Sequence, residues 1–254
     1  MSMPAHPLLE LQSISIHFGA LKAVDGVTLQ LAAGERVAIL GPNGAGKTTL
    51  FNAITGMTPA TSGKVLFDGD DITRATPDRR AQRGIARTFQ ITNLFAGLSI
   101  EDNLLLAARG LSRSRFAFWR HGDAHGDERS IVDSALERCH LAGKRHLLVK
   151  EISHGEQRQL ELAMSLTSSP RLLLLDEPAA GLSPAERVVM AEVIRGLPAT
   201  LSLVLIEHDI DLALGLVDRV VCMYQGAVLV EGKPDEIRGN AQVQEIYLGR
   251  PRHA

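Results

Sequence analysis

Residues 41–48 are the stretch that decides the fold: Gly41-Pro42-Asn43-Gly44-Ala45-Gly46-Lys47-Thr48, with the spacing G-x-x-x-x-G-K-[ST]. An apolar run at 37–40 precedes this stretch, and a helix-compatible segment at 49–54 follows it. Glycines let successive backbone amides face one anion, and the start of the helix adds positive partial charge. The pattern predicts a phosphate-binding loop for a nucleoside triphosphate. A glycine-rich turn that binds nothing is disfavoured, because both the pattern and its context are intact.

Two residues of this loop have predicted roles of their own. Lys47 supplies a point charge for the outer phosphates, and the Thr48 hydroxyl is placed to face Mg²⁺.

Composition narrows the class of protein. The chain has 254 residues, 45% hydrophobic and 22% charged, which is ordinary for a soluble globular protein. Its net charge is −2, so no general basic field favours nucleic acid. Cys139 and Cys222 form no C-x-x-C pair, which argues against a disulfide framework or a zinc site and suits a reducing compartment. We see no secretory signal and no apolar run long enough to span a bilayer, so any membrane role needs a partner.

Hydrophobic periodicity predicts an α/β chain with a mostly parallel sheet. The predicted strands are a pair within 8–33, then 36–41, 63–67, 85–89, 171–176, 202–207 and a hairpin at 220–230. The predicted helices are the one after the phosphate loop, a helical block within 100–168, and 184–196, 209–216 and 241–248. Within the helical block, the polar stretch 110–129 is predicted to be a surface loop or helix connection. The early antiparallel strands and the helical block are expected to be attachments to the parallel sheet.

An acidic pair follows the most apolar predicted strand. Leu172–Leu175 would bury that strand completely, and Asp176 and Glu177 would emerge at its carboxyl end, where open α/β sheets bind ligands. Asp176 is placed to hold the Mg²⁺ shell through water, and Glu177 to orient and deprotonate an attacking water. On its own, such a pair would more often be a solvated turn. The phosphate loop in the same chain reverses that preference.

A third feature is the segment Ile152-Ser153-His154-Gly155-Glu156-Gln157. Ser153 and Glu156 have the S-x-x-E spacing of a capping box that starts a helix. Free amides at that helix start, with no side chain at Gly155, would make a second anion site. From the sequence alone, a plain capping box is the better interpretation.

Taken together, these motifs resemble the ATP-binding subunit of an ATP-binding cassette (ABC) transporter, over about residues 8–249. Residues 41–48 match the Walker A motif, and Leu172–Glu177 match Walker B with its catalytic carboxylate. Ile152–Glu156 match the family signature Leu-Ser-Gly-Gly-Gln, except that His154 and Glu156 replace a glycine and the glutamine. Residues 180–184 occupy the D-loop, where Ser183 stands in place of the usual aspartate.

The resemblance also gives meaning to three residues that would be weak candidates alone. Gln90 matches the Q-loop glutamine, His208 the switch histidine, and Phe18 the aromatic residue that stacks on adenine. Without the family context, His208 would be taken for an ordinary surface histidine, Phe18 for a core residue and Gln90 for a merely polar one.

What the resemblance implies is a P-loop NTPase (RecA-like) α/β fold with an N-terminal antiparallel β subdomain and an inserted helical subdomain. One ATP-binding domain would cover 5–250, with its core at 5–91 and 168–250 and the helical subdomain at 92–167. ATP and Mg²⁺ are the expected ligands. Expected catalytic residues are Glu177, His208, Gln90 and Lys47; expected metal contacts are Thr48, Gln90 and Asp176; expected nucleotide contacts are Phe18, residues 41–48, Thr49, Ser153, Gly155 and Glu156.

More particular stretches resemble the branched-chain amino acid importer subfamily, among them 84–90, 177–182 and 205–209. This implies a peripheral protein on the cytoplasmic face of the inner membrane, paired with an identical or different ATPase chain, bound to permeases and served by a substrate-binding protein. The apolar Leu94, Phe95 and Leu98 could form a groove for a permease helix, or simply pack the helical lobe. Rival interpretations are a urea/amide importer, an exporter, and a non-transport ABC ATPase acting on ribosomes or DNA; no nucleic-acid partner is expected.

Overall fold

Ten strands build two sheets in the computed structural model, which describes residues 6–88, 94–111 and 124–248. The strands are β1 (Leu9–Phe18), β2 (Leu21–Leu31), β3 (Arg36–Leu40), β4 (Ser62–Phe67), β5 (Asp70–Asp71), β6 (Ile85–Arg87), β7 (Leu172–Asp176), β8 (Ser202–Ile206), β9 (Arg219–Tyr224) and β10 (Ala227–Gly232).

Helices lie in some of the intervals between these strands and after the last strand. They are α1 (Lys47–Thr55), α2 (Pro77–Gln82), α3 (Ile100–Leu111), α4 (Ala124–Arg138), α5 (His154–Leu166), α6 (Pro184–Arg195), α7 (Ile210–Leu214), α8 (Pro234–Arg238) and α9 (Ala241–Leu248). Two short 3₁₀ turns, Ala142–Lys144 and Val149–Glu151, lie between α4 and α5.

The larger sheet has the strand order β10-β9-β3-β8-β7-β6. All its pairs are parallel except β9 with β10, which form an antiparallel hairpin. The smaller sheet, in the order β2-β1-β4-β5, is antiparallel throughout. Parallel strands end at the same edge of a sheet, so the segments that follow β3, β7 and β8 come together there.

Two hydrophobic cores cover the two faces of the larger sheet. Leu173 and Leu175 face a core shared with the helical block, whereas Leu172 and Leu174 face a core shared with α1 and the smaller sheet. Successive side chains of a strand point to opposite faces, so a strand buried on both faces must be apolar at every position. The burial of all four leucines confirms that prediction.

The predicted fold class is confirmed: a mostly parallel sheet, an early antiparallel sheet and a helical block at 100–168 are all present. The short elements α2, β5 and α8 were not predicted. The strand predicted at 85–89 is observed as Ile85–Arg87, and residues 89–93 lie outside the described part. The stretch 110–129, predicted to be a surface loop or helix connection, is helical at both ends. Gly110 and Leu111 end α3, Ala124–Arg129 begin α4, and residues 112–123 are outside the description. Within the described ranges, no helix has the length and apolar character needed to cross a membrane.

Candidate functional site

The phosphate loop is held against neighbouring backbone at two of its glycines. Gly46 has φ of 97°, and a Cβ there would lie 2.3 Å from the Ala23 carbonyl oxygen. A Cβ at Gly41 would lie 2.4 Å from the Met223 carbonyl oxygen. Real Cβ atoms do not approach backbone oxygens this closely, so both positions require glycine. The loop is therefore anchored on β2 and β9, while Asn43 and Gly44 at its tip are exposed.

Lys47 is buried at the base of this loop, with 6% of its surface exposed. Its Nζ donates to the carbonyl oxygens of Gly41 at 2.6 Å and Pro42 at 3.0 Å. Burial lowers the pKa of Lys47, and the nearby carboxylates of Glu177 and Asp176 oppose that shift. The structure therefore brings the predicted phosphate-binding lysine close to both predicted acidic residues.

The N-terminus of α1 is open to an anion. Gly46 occupies the N-cap position in a left-handed conformation, no side chain of the described chain caps it, and the first turn contains no acidic residue. Thr48 and Thr49, in that first turn, are half-buried. Uncapped amides and the positive end of the helix dipole favour a phosphate at this position.

Asp176 ends β7 as a buried carboxylate. Its Oδ2 accepts a hydrogen bond from Arg87 Nη2 at 2.6 Å, and its Oδ1 has no hydrogen-bond partner within the described residues. A buried carboxylate oxygen without a partner suits Mg²⁺, which prefers oxygen ligands and keeps several waters. These residues thus fit the predicted metal, although Gln90, the other predicted metal contact, lies outside the described part of the chain.

Glu177 and His208 meet at the carboxyl ends of two adjacent strands. The distance from His208 Nε2 to Glu177 Oε1 is 2.8 Å. Glu177 has φ of 52°, unusual for a residue with a side chain, and its backbone amide donates to the Ile206 carbonyl at 2.9 Å. Backbone held in a sparsely populated conformation is a frequent property of functional sites. The strained turn directs the Glu177 carboxylate to the histidine that the family resemblance selected.

Sequence reasoning gave no role to Glu207, which braces this turn. Its buried carboxylate accepts hydrogen bonds from the amides of Ala179 at 2.9 Å and His208 at 3.1 Å. Burial raises the pKa of Glu207, against the effect of these amides. Its position at the end of an apolar strand was the available signal, because a carboxylate there meets the loop that follows the neighbouring strand.

The signature segment forms the predicted capping box at the start of α5. The Glu156 amide donates to Ser153 Oγ at 3.3 Å, and the Ser153 amide donates to Glu156 Oε2 at 2.8 Å. Lys144 Nζ also donates to Glu156 Oε1. Burial raises the pKa of Glu156, but the Lys144 and Ser153 bonds outweigh it, and the net shift is downward. The carboxylate that replaces the family glutamine is therefore paired with a lysine.

Glu186, a residue for which the sequence suggested no function, occupies the tip of α5. Its Oε1 accepts from the Gly155 amide at 3.0 Å and from Ser153 Oγ at 3.1 Å. Its Oε2 accepts from the amide and hydroxyl of Ser183, which caps α6. The Ser183 hydroxyl, then the amides of Ser183 and Gly155, hold the pKa of Glu186 down to about 2. The S-x-x-E spacing of Ser183 and Glu186 predicts a capping box; the contact with α5 has no local signal.

Other predicted positions lie around these two sites. Phe18 ends β1 with 53% of its surface exposed, as a stacking platform requires. Leu94 lines an apolar groove of about 460 Å³ between the α1–α2 region and the helices α3 and α5. Phe95 and Leu98, the other two residues of the predicted groove, have 56% and 36% of their surface exposed.

Comparison with known proteins identifies the family. The family model described as ABC transporter matches residues 24–180, and the model described as branched-chain amino acid ATP-binding cassette transporter matches residues 227–253. Among curated proteins, the chain is 36% identical to the high-affinity branched-chain amino acid transport ATP-binding protein BraF of Pseudomonas aeruginosa, over 96% of this chain and 99% of that protein. Identity and coverage are the same for LivG of Escherichia coli strain K12.

Solved structures agree with this result. The ATP-binding cassette MJ1267 of an ABC transporter, in its ADP conformation, superposes with a TM-score of 0.84 at 29% identity, covering 96% of this chain and 99% of that one. The family model and the relatives agree with the order of the motifs and with the sheet that brings the motifs together. This chain therefore belongs to the ABC transporter family of ATP-binding proteins.

Proposed function

We propose that this chain binds ATP with Mg²⁺ at the phosphate loop and hydrolyses it to power a membrane importer. The observation that best supports this is the Glu177–His208 contact at the ends of β7 and β8, beside the buried Lys47. Phosphoryl transfer needs positioning and charge stabilisation more than covalent help from the protein. A lysine, a helix N-terminus, a carboxylate and a histidine at one edge of the sheet suit that task.

Each residue has a defined task in this proposal. The amides of residues 41–49 and Lys47 Nζ bind the phosphates, and Phe18 stacks on adenine. Thr48 and Asp176 hold the metal, with Gln90 as a further contact, and Mg²⁺ when bound neutralises charge on the β- and γ-phosphates. Glu177 accepts a proton from the attacking water. His208 donates from Nε2 to the Glu177 carboxylate, which can only accept, and so fixes its orientation.

The second anion site at α5 is proposed to act in a dimer. Within one chain the phosphate loop packs on β2 and β9, whereas the α5 tip packs on α6 through Glu186. In the described contacts the two sites share no residue, and in this proposal a single chain covers the γ-phosphate on one side only. We infer that Ser153, Gly155 and Glu156 of a second chain, identical or different, cover the other side. Two ATP molecules would then join two head-to-tail subunits, and hydrolysis would release them.

The proposed cargo is a branched-chain or related amino acid. This assignment rests on the subfamily model at 227–253 and on relatives named for that transport. The cargo itself would be bound by a substrate-binding protein and membrane permeases. The groove lined by Leu94 is the proposed binding site of a permease helix. Binding there would place the chain at the cytoplasmic face of the inner membrane. A urea/amide importer is the second candidate, because the nucleotide site would look the same.

The division into subdomains is part of the same proposal. Residues 5–91 and 168–250 would form the core with the antiparallel sheet, and 92–167 the helical subdomain that carries the signature. The core that the helical block shares with β7 and β8 supports one continuous domain over 5–250.

Hydrolysis is tested by Glu177→Gln, which keeps the shape of the side chain and removes its basicity. We expect ATP binding to persist and Mg²⁺-dependent turnover to fall roughly 100- to 10,000-fold, the usual contribution of a general base. Glu137→Gln, an exposed glutamate on α4, is the matched control and should keep full turnover. Near-normal turnover in Glu177→Gln would refute the assignment of the general base.

The cargo is tested with permeases co-purified with the chain. Leucine with its binding protein should stimulate ATP hydrolysis, whereas stimulation by urea instead would favour the second candidate.

A further inference from the structure

Arg87 joins the two structural elements that flank the proposed metal site. It is the last residue of β6, and its Nη2 donates to Asp176 Oδ2 at 2.6 Å. Its Nη1 donates to Asn52 Oδ1 at 2.5 Å, and its guanidinium lies 5.7 Å from the centroid of the Phe51 ring. Asn52 and Phe51 both belong to α1, the helix that begins in the phosphate loop. One side chain therefore fixes the end of β7 relative to α1.

The Arg87–Asp176 pair is almost completely removed from solvent. The side chain of Arg87 is 9% exposed and that of Asp176 is 0% exposed. A buried charge that loses its partner is strongly unfavourable, because it keeps the cost of desolvation without the compensating attraction. Lys47 is another cation near Asp176, but its Nζ is bonded to the carbonyls of Gly41 and Pro42. Arg87 is thus the direct counter-charge of this carboxylate.

Arg87 occupies only half of that carboxylate. Oδ2 of Asp176 is bonded to Arg87, while Oδ1 is buried without a partner among the described residues. A guanidinium often binds both oxygens of a carboxylate in a bidentate fork. Here Nη1 is bonded to Asn52, and neither Nη1 nor Nε of Arg87 is bonded to Oδ1, which stays available.

We propose that Arg87 is a positioning residue for the metal site: it holds Asp176 by one oxygen, leaves the other for the hydration shell of Mg²⁺, and balances the charge of Asp176 while no metal is bound. This inference rests on the proposed function, which assigns Asp176 to the metal. It predicts that metal and arginine partly substitute for each other as counter-charges. A purely structural arginine would have no such relation to Mg²⁺.

The experiment measures thermal unfolding of Arg87→Met with ATP, once in EDTA and once with Mg²⁺. In EDTA we expect the midpoint to fall by roughly 10 °C relative to the parent, as for a broken buried ion pair. With Mg²⁺ most of that loss should disappear, because the metal replaces the missing positive charge. An equal fall in both conditions would overturn the proposal.

Arg171→Met is the matched control. Arg171 also lies over a phenylalanine ring, 5.6 Å from the centroid of Phe67, and pairs with a carboxylate, Asp68, at 2.7 Å. Its pair is exposed, with 50% and 58% of the two side chains accessible, so its loss should cost little with or without Mg²⁺. A fall as large as that of Arg87→Met, with the same response to Mg²⁺, would contradict the special role of Arg87.

If Arg87→Met does not fold, Arg87→Met with Asp176→Asn decides the matter. Removing both charges should return the midpoint in EDTA to within a few degrees of the parent. A double variant as unstable as the single one would show that the arginine is needed for packing alone, and would overturn the proposal.

The parent chain separates the proposed function from the role of Arg87. If Mg²⁺-ATP does not stabilise the parent at all, the proposed function fails. If Mg²⁺-ATP stabilises the parent but Arg87→Met loses equally in EDTA and in Mg²⁺, only the role of Arg87 is refuted.

Discussion

The side chain of Lys47 is held in place by its own loop. Its ammonium is bonded to the carbonyl oxygens of Gly41 and Pro42, in the same loop, and its surface is nearly all buried. An ammonium has three N–H donors, so these two bonds leave one for a phosphate. Because a charged acceptor binds an ammonium more strongly than a neutral carbonyl does, that contact favours nucleotide binding.

The variant Lys47→Ala tests this role. Loss of a charge-assisted contact should weaken ATP binding by roughly 10- to 100-fold, measured by isothermal titration calorimetry. Lys64→Ala, an exposed lysine on β4, is the control and should bind ATP as the parent does. An unchanged dissociation constant for Lys47→Ala would count against the phosphate-loop assignment.

Local patterns reveal residues whose partners are close in sequence or whose motif is widely shared. Lys47, Asp176 and Ser153 were found this way. Arg87 and Glu186 were not, because their decisive contacts join positions 89 and 31 residues apart. Such contacts depend on which strands and helices become neighbours, and a single sequence contains no direct record of that.

Helix α5 presents its N-terminus to a carboxylate of its own chain. Glu186 accepts from the Gly155 amide and the Ser153 hydroxyl, the two groups that the proposed function reserves for the phosphate of a partner chain. Gly155 permits this contact, since a Cβ there would lie 2.7 Å from Glu186 Oε1. In the proposed dimer, Glu186 must therefore give up these bonds or share them with the phosphate.

We expect Glu186→Gln to lower the ATP concentration needed for dimer formation severalfold, because a neutral amide competes less well with phosphate for the α5 tip. The substitution keeps the S-x-x-Q form of the capping box on α6. The measurement is light scattering during an ATP titration, in a Glu177→Gln background. Glu192→Gln, an exposed position on the same helix, is the control. A higher ATP requirement in Glu186→Gln would contradict competition.

The pH dependence of this contact has a definite sign. The pKa of Glu186 falls from its ordinary value of 4.5 to about 2 in the folded chain. A lowered pKa means that the bridge between α5 and α6 contributes fully above the unfolded value and is lost as the pH falls toward 2. At neutral pH the carboxylate is therefore charged, and only substitution removes its competition with phosphate.

At the scale of elements, segments with a strong apolar pattern were predictable, and the shortest segments without one were not. The strand with four leucines and helix α6 were placed within one or two residues, because burial dictates their patterns. The two-residue β5 and the five-residue α8 exist through pairing and packing with their neighbours, which leaves little periodicity to detect.

At the scale of the whole molecule, the parallel order of β3, β8 and β7 assembles the site. Their carboxyl ends bring the phosphate loop, His208 and Glu177 to one edge of the sheet, although these segments are distant in sequence. The sheet can do this because both of its faces are covered by separate cores. The α5 tip instead contacts α6 through Glu186, and in the proposed dimer it completes the site of a second molecule.

Disulfide trapping tests that claim most directly. Asn43, at the tip of the phosphate loop, and His154, at the start of α5, are both exposed. One Glu177→Gln chain carries Asn43→Cys and another carries His154→Cys. The native Cys139 and Cys222 are buried, and burial raises the pKa of their thiols to about 12 and about 11, so they do not compete for the oxidant.

Mixed with ATP and a mild oxidant, the two chains should form a covalent dimer that neither forms alone and that is lost without nucleotide. Two results would contradict the proposed dimer. One is that ATP yields no cross-linked pair, with this chain or with a second ATPase chain of its transporter. The other is that a single chain carrying both cysteines closes the disulfide within itself.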